Sequence, residues 1–302
     1  MKDSPDWYNF LSRNQRSCQM LRVKDAYGSY GEIFAPRPLT AVPTIFVTRD
    51  SQEQVSAAYP HATAEKFASG ACSLHTNMVE AMCKARFTGG CSVLIDMAVD
   101  LVADFRDCDK TKCAYMLEFR TPIADAPNVG GSPQINTIHL LNDVKIIGTL
   151  RSSIHSDNAI FWNRDDSVVD ISGLDMRVVN QHNENCSPVL VMQGYWNVTD
   201  CKLYDSSGGY VVLHHDKYGD MTNCTLESAH GGYIVHVNAP NLDHINFRGC
   251  TFIRNDYAED FFMDGTNTPQ EHKHFKDRMR SKNSGNIFEV NDDEDYGWAD
   301  CG

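Results

Sequence analysis

Val169-Asp170-Ile171-Ser172-Gly173-Leu174-Asp175-Met176 reads apolar, polar, apolar, polar, turn residue, apolar, polar, apolar. Period-two alternation puts Val169 and Ile171 on one face of a strand. Gly173 admits a left-handed backbone, after which Leu174 and Met176 return to the same side. The segment is two short strands joined by a one-residue corner, which suits a chain winding round a coil and not a hairpin. The pattern recurs at Trp196-Val198-Asp200-Cys201-Leu203 and at Ile245-Phe247-Gly249-Cys250-Phe252. A fourth copy, Met221-Asn223-Cys224-Leu226, has Gly219 where the first apolar residue should stand, and Val144-Ile146-Gly148 is a weaker opening copy. The turn residues Gly148, Gly173, Asp200, Asn223 and Gly249 follow one another at intervals of 25, 27, 23 and 26.

A second repeat lies between these copies. Gly208-Gly209-Tyr210-Val211-Val212-Leu213-His214 matches Gly231-Gly232-Tyr233-Ile234-Val235-His236-Val237. Ser187–Val191, Asp260–Met263 and Ser284–Val290 are looser copies. Each repeat therefore supplies a third strand, and three strands make one coil. Leucine-rich repeats need a fixed leucine ladder, which is absent, and propeller blades need about 40 residues or more. A β-sandwich would not keep the turn residue in step. The expected fold is all-β: a right-handed, single-stranded parallel β-helix.

Upstream, Thr44–Thr48 and Ser92–Asp96 read as strands. Residues 73–86 read as a helix, because Leu74, Met78, Ala81, Met82 and Ala85 share one face. Asn77 with Glu80 offers a capping box, with Ser73 as a rival start, and Gly89-Gly90 ends the helix. Residues 1–42, with the cluster Trp7, Tyr8, Phe10 and Leu11, form an N-terminal extension that packs on the main domain. Residues 43–291 are the β-helix domain, with an irregular insertion at about 254–283. Residues 292–302 are an acidic tail, opening with Asp292-Asp293-Glu294-Asp295.

These features resemble the right-handed β-helix superfamily of pectin-lyase-like proteins, including its carbohydrate-binding and sugar-hydrolase repeats. The resemblance covers about residues 44–290 and rests on the order opening strand, helix, apolar strand, with Asn142–Gly148 similar to the family's first regular coil. It implies that 73–86 caps the N-terminal end of the coil. It also implies that any activity lies on the outer face of one parallel sheet. The fold hosts lyases, hydrolases, esterases and non-catalytic adaptors, so it does not choose among them.

The glycine-led strand is the candidate sheet. With Tyr210, Val212 and His214 inward beside Tyr233, Val235 and Val237, the outward set is Val211, Leu213 and His215 beside Ile234, His236 and Asn238. Ile287, Glu289 and Asn291 would continue it, and Trp162 and Met192 would lie upstream. The binding residues expected on this groove are Trp162, Leu213, His215, His236, Asn238 and Glu289.

No catalytic set is complete. Glycoside hydrolysis needs two carboxyl groups across the bond. Asp165-Asp166 is an adjacent pair, but its flanks do not match the motif of polygalacturonase-like enzymes, and the downstream Gly-His-Gly and Arg-Ile-Lys segments are missing. No outward carboxylate cluster with a partnered arginine is visible for a calcium-dependent lyase. His214-His215 point to opposite faces of a strand and cannot share a metal. Glu271-His272-Lys273-His274 reads as a solvated loop, and Cys108-x4-Cys113 lacks a second pair for zinc. No metal and no cofactor is expected.

With 27 basic and 40 acidic residues, the chain carries a net charge of -13. That opposes binding to nucleic acid through phosphates and to anionic membrane surfaces. No apolar run reaches the length of a membrane span, and the first residues carry no secretory signal. The 11 cysteines are an odd number. Leu174, Cys201, Cys224 and Cys250 each follow a turn residue and should stack in the coil. Stacking at about 4.8 Å in register gives poor disulfide geometry, so a ladder of free thiols and an intracellular, cytoplasmic setting are expected. The matches to the glycosylation pattern at Asn185, Asn197 and Asn223 are read as structural. The leading reading is a non-catalytic β-helix that recognises a glycan or protein partner on an outward sheet. The alternatives are a polysaccharide lyase or glycoside hydrolase of the same fold, or a structural solenoid in a larger assembly.

Overall fold

The computed structural model describes residues 19–24, 30–35, 42–88, 90–111, 113, 136–163, 167–179, 188–206, 210–215, 217–229, 233–255, 259–263 and 267–291. Asp165-Asp166, Asn185, the four N-terminal aromatic and leucine residues and the acidic tail lie outside these. The chain divides into two units, Met1–Leu39 and Thr40–Gly302. In the first, Gln19–Lys24 and Tyr30–Ala35 pair as an antiparallel hairpin.

The second unit is mostly β and contains three parallel sheets among the described residues. In the eight-stranded sheet Ser73–His75, Ile45–Val47, Cys91–Ile95, Val144–Gly148, Val168–Ser172, Tyr195–Thr199, Gly219–Thr222 and Ile245–Arg248 lie side by side. The seven-stranded sheet holds Ala98–Asp100, Ser153–Ser156, Asp175–Val178, Lys202–Asp205, Thr225–Ser228, Thr251–Asn255 and Ile287–Asn291. The six-stranded sheet holds Ile138–Leu140, Phe161–Asn163, Leu190–Met192, Tyr210–His215, Tyr233–Asn238 and Glu259–Met263. From Val144 to Met263 the chain visits the three sheets in strict rotation. The architecture is compatible with a parallel β-helix.

The repeat reading explains the corners. Gly173, Asp200, Asn223 and Gly249 all have positive φ, between 53° and 69°, and Gly285 continues the series at 67°. Gly148 does not; its glycine is required because a Cβ there would collide with the Gly173 carbonyl. After each corner, Leu174, Cys201, Cys224 and Cys250 are buried. The thiols accept backbone donors from the neighbouring coil: Leu174 N–H to Cys201 Sγ at 3.5 Å and Cys201 N–H to Cys224 Sγ at 3.4 Å. At the end of this column the Cys250 N–H is taken by Asn286 Oδ1 at 2.9 Å. The eight described cysteines are free thiols. Cysteine thus fills the column as a small apolar residue that still receives an N–H.

Gly219, the apparent flaw in the fourth copy, is explained by its neighbour. It pairs with Trp196, and any Cβ would strike the Trp196 indole. The indole N–H donates to His214 Nδ1 at 2.9 Å inside the coil. Burial drives the His214 pKa down to about 3, so the ring is neutral and Nδ1 is the acceptor.

Helices depart from the expectation in five places. Ser73–His75 is a strand, and the helix runs only over Met78–Thr88 (α3). Leu74, four residues before Met78, mimicked helical spacing but packs with Phe46 in a separate cluster. Asn77 Oδ1 does accept the Glu80 N–H at 3.1 Å, yet the Glu80 carboxylate receives Asp109 N–H instead of closing a box. Gln52–Ala58 (α1), Ala64–Ala68 (α2) and Leu101–Asp107 (α4) were not anticipated, although Ser51, Thr63 and Asp100 cap them in the ordinary way. Finally, the stretch 254–283 is not irregular. It contains the strand Glu259–Met263 and the helix Pro269–Met279 (α5), opened by a Thr268/Glu271 capping box with proline in the first turn.

Candidate functional site

Two outward sheet faces differ sharply. On the six-stranded sheet the register aligns one outer column: His139, Trp162, Val191, Leu213, His236 and Phe262. Trp162 and Leu213, both 2% exposed, form an apolar cluster with Ala159 and Val191. The His139 ring lies against Trp162, tilted, with ring centroids 5.2 Å apart. His236 lies between Tyr210, at 4.6 Å, and Phe262, at 4.8 Å. Of the expected binding residues, Trp162, Leu213 and His236 therefore share a column, and His215 pairs with Asn238 two positions further on. The expected open groove is not found, because the middle of this column is buried.

Two further expectations are corrected. Val211 and Ile234 are fully buried in the main core beside Val212 and Val235, so two successive residues face inward. Tyr210 and Tyr233 face outward instead, stacked at 6.1 Å. Simple alternation fails there. Glu289 sits on another sheet altogether: Ile287–Asn291 pairs with Thr251–Asn255 in the seven-stranded sheet. Glu271, His272 and His274 lie on α5 and not in a loop. Residues two apart on a helix do not face each other, which removes the H-x-H chelate. Among the described residues no group of three or more His, Cys, Asp or Glu is arranged to hold a metal ion.

The seven-stranded sheet is the open one. Its first five strands alternate strictly. Val99, Ile154, Met176, Leu203, Leu226 and Phe252 point into the core. Between them an outer column runs Asp100, His155, Arg177, Tyr204, Glu227, Ile253 and Glu289. Asp100, His155, Arg177 and Glu289 are exposed; Tyr204, Glu227 and Ile253 are half-buried. The Arg177 guanidinium lies 5.8 Å from the Tyr204 ring centre and grips Asp175 through two bonds of 2.9 and 3.1 Å. These contacts hold an aromatic face and a charged fork side by side.

At its N-terminal end this face opens into a cleft of about 740 Å³ lined by Arg49, Met97, Asp100, Asp104 and His155, among others. Asp100 and Asp104 both do structural work. The Asp100 carboxylate accepts the Ala103 N–H at 3.1 Å at the start of α4, and Asp104 Oδ2 accepts the Met78 N–H at 2.5 Å at the start of α3. Burial, opposed by the Met78 N–H and reinforced by Asp100, pushes the Asp104 pKa up to about 6. The cleft thus combines a carboxyl whose pKa is raised to about 6 with a second carboxylate, a histidine and an arginine.

Sequence reasoning overlooked this site, except for Glu289. The signal was present in Asp175-Met176-Arg177-Val178, Lys202-Leu203-Tyr204-Asp205 and Thr225-Leu226-Glu227-Ser228, whose clean alternation marks one-sided burial. Comparison with known proteins adds no assignment: no family model, no curated protein and no solved structure matches the chain. No helix among the described residues is long and apolar enough to cross a membrane.

Proposed function

We propose that the chain is a right-handed β-helix of the pectin-lyase-like kind, with α3 closing its N-terminal end, and that it works as a binding module for a linear glycan. The strand rotation and the burial of α3 residues Met78, Val79, Met82 and Cys83 support the first part. The free, stacked thiols support an intracellular setting. The observation that carries the binding reading is the open outer column of the seven-stranded sheet, where Tyr204 is flanked by Arg177 and Glu227. A parallel sheet repeats its side chains at about 4.8 Å along the coil, which suits an extended polymer laid across the rungs. Tyrosine supplies a stacking surface, and the carboxylates and guanidinium supply hydroxyl partners.

The test is binding of the purified chain to a panel of neutral and charged polysaccharides, with Tyr204→Ala and Glu227→Gln as probes. Binding that both substitutions weaken by about tenfold is the expected result. Binding indifferent to both would remove the site from this sheet.

A second reading, a glycoside hydrolase or lyase, has one observation in its favour: the Asp104 carboxyl with raised pKa, beside Asp100 in the cleft. Release of reducing ends or unsaturated products, lost in Asp104→Asn, would establish it. Binding without product would leave the module non-catalytic.

A further inference from the structure

The charge on the open face says which glycans it can take. Two adjacent outer columns are in register there. The first runs from Asp100 to Glu289 as given above; the second contains Ser153, Asp175, Lys202, Thr225, Thr251 and Ile287. Together they present the carboxylates Asp100, Asp175, Glu227 and Glu289 against the permanent cations Arg177 and Lys202. Arg177 is already committed to Asp175 in a two-bond pair. What remains for a ligand is Lys202, with Arg49 at the cleft end, against Glu227, Glu289 and Asp100, whose carboxylate also accepts the Ala103 N–H. The chain as a whole carries a net charge of -13, so the long-range field has the same sign as the local excess.

A polyuronate or sulfated chain laid on this face would meet Glu227 and Glu289 along its length, with Lys202 and, at the cleft end, Arg49 to offset them. A glycan bearing amino groups would meet carboxylates at both ends of the column and near its middle, with Tyr204 between them for stacking. Electrostatic complementarity decides between such partners more strongly than it decides total affinity. We infer that the ligand of the seven-stranded face is a linear glycan carrying free amino groups, and not an acidic polysaccharide. The inference rests on the binding reading above and narrows it to one chemical class.

The experiment compares three oligosaccharides of equal length: a glucosamine hexamer, its fully N-acetylated counterpart and a galacturonic acid hexamer. Calorimetric titration into the intact chain is run at low and at high salt, in buffer acidic enough to keep the sugar amines charged. The expected result is that the glucosamine hexamer binds about tenfold more tightly than the acetylated one. The galacturonate should bind weakest of the three. High salt should erase most of the advantage of the amine, since exposed charges are screened. Glu227→Gln and Glu289→Gln should each lower affinity for the glucosamine hexamer about threefold more than affinity for the acetylated one. Both side chains point outward from the sheet, so the variants should melt with the parent. Equal binding of the amine and acetylated forms, or tightest binding of the galacturonate, would overturn the inference while the binding reading stood. No binding of any of the three, together with none across the wider polysaccharide panel, would overturn both.

Discussion

The outer faces of the six- and seven-stranded sheets are built on the same parallel geometry and have opposite fates. On the first, the register column His139, Trp162, Val191, Leu213, His236, Phe262 is apolar or aromatic, and its centre is buried. On the second, the column from Asp100 to Glu289 is polar or charged apart from Tyr204 and Ile253, and it is open. A solenoid offers one outer face per sheet, and composition at the outward parity decides which face is covered. Strands such as Leu190-Val191-Met192 are apolar at every position because both their faces are buried. A run of hydrophobic outward residues therefore marks a covered face, isolated ones such as Ile253 and Ile287 do not, and the place to look for a polar ligand is the strand that alternates.

The largest expected effect breaks or upholds this contrast directly. Leu213→Asp places a carboxylate in the buried column and should cost about 4 kcal/mol or more, enough to abolish a cooperative melt. Lys202→Asp on the open face should shift the melt only slightly. A Leu213→Asp variant that melts like the parent would show the two faces to be equivalent.

The second effect is in pH. His214, on the inner side of the six-stranded sheet, has its folded pKa lowered to about 3, against 6.5 in the unfolded chain. The unfolded state binds the proton first as pH falls, so stability contributed by the neutral ring is lost progressively from about pH 6.5 down to about pH 3. The loss should reach about 3 kcal/mol near pH 4. Urea midpoints measured against pH should show this acid limb flattened in His214→Gln, which retains an acceptor for Trp196.

Asp104, at the end of the seven-stranded sheet, should show the opposite slope. Its folded pKa, raised to about 6, lies above the unfolded value. The folded state binds the proton more tightly, so this group weakens the fold as pH rises from about 4 to about 6. The effect should be on the order of 1–2 kcal/mol and absent in Asp104→Asn. A smaller change again is expected from Tyr204→Ala on stability, within about 0.5 kcal/mol, because the ring is half-buried on an open surface.

Much of the fold was legible because the corner residues are dictated by backbone sterics. Gly173, Asp200, Asn223 and Gly249 occur where φ is positive, and their spacing sets the coil. Gly219 could not be understood from its own strand, since the reason for it is the Trp196 indole of the coil beneath. The site was less legible for two physical reasons. The parity of Tyr210–His215 breaks at Val211-Val212, where two successive side chains enter the core, and alternation read from the strand centre then assigns the wrong face to Tyr210. Ile287–Asn291 follows a helix and rejoins the seven-stranded sheet, skipping the rotation that its glycine-led sequence mimics. Helix α5 hid in a polar stretch, yet Thr268-Pro269 with Glu271 announces it.

Hydroxyl-radical footprinting with and without a bound oligosaccharide tests the central claim most directly, because it reads both faces in one sample. The account predicts that Tyr204 is modified in the free chain and protected by the ligand, while Trp162 stays unmodified in both states. Trp162 modified in the free chain and protected by the ligand, with Tyr204 unchanged, would contradict it and return the binding surface to the six-stranded sheet.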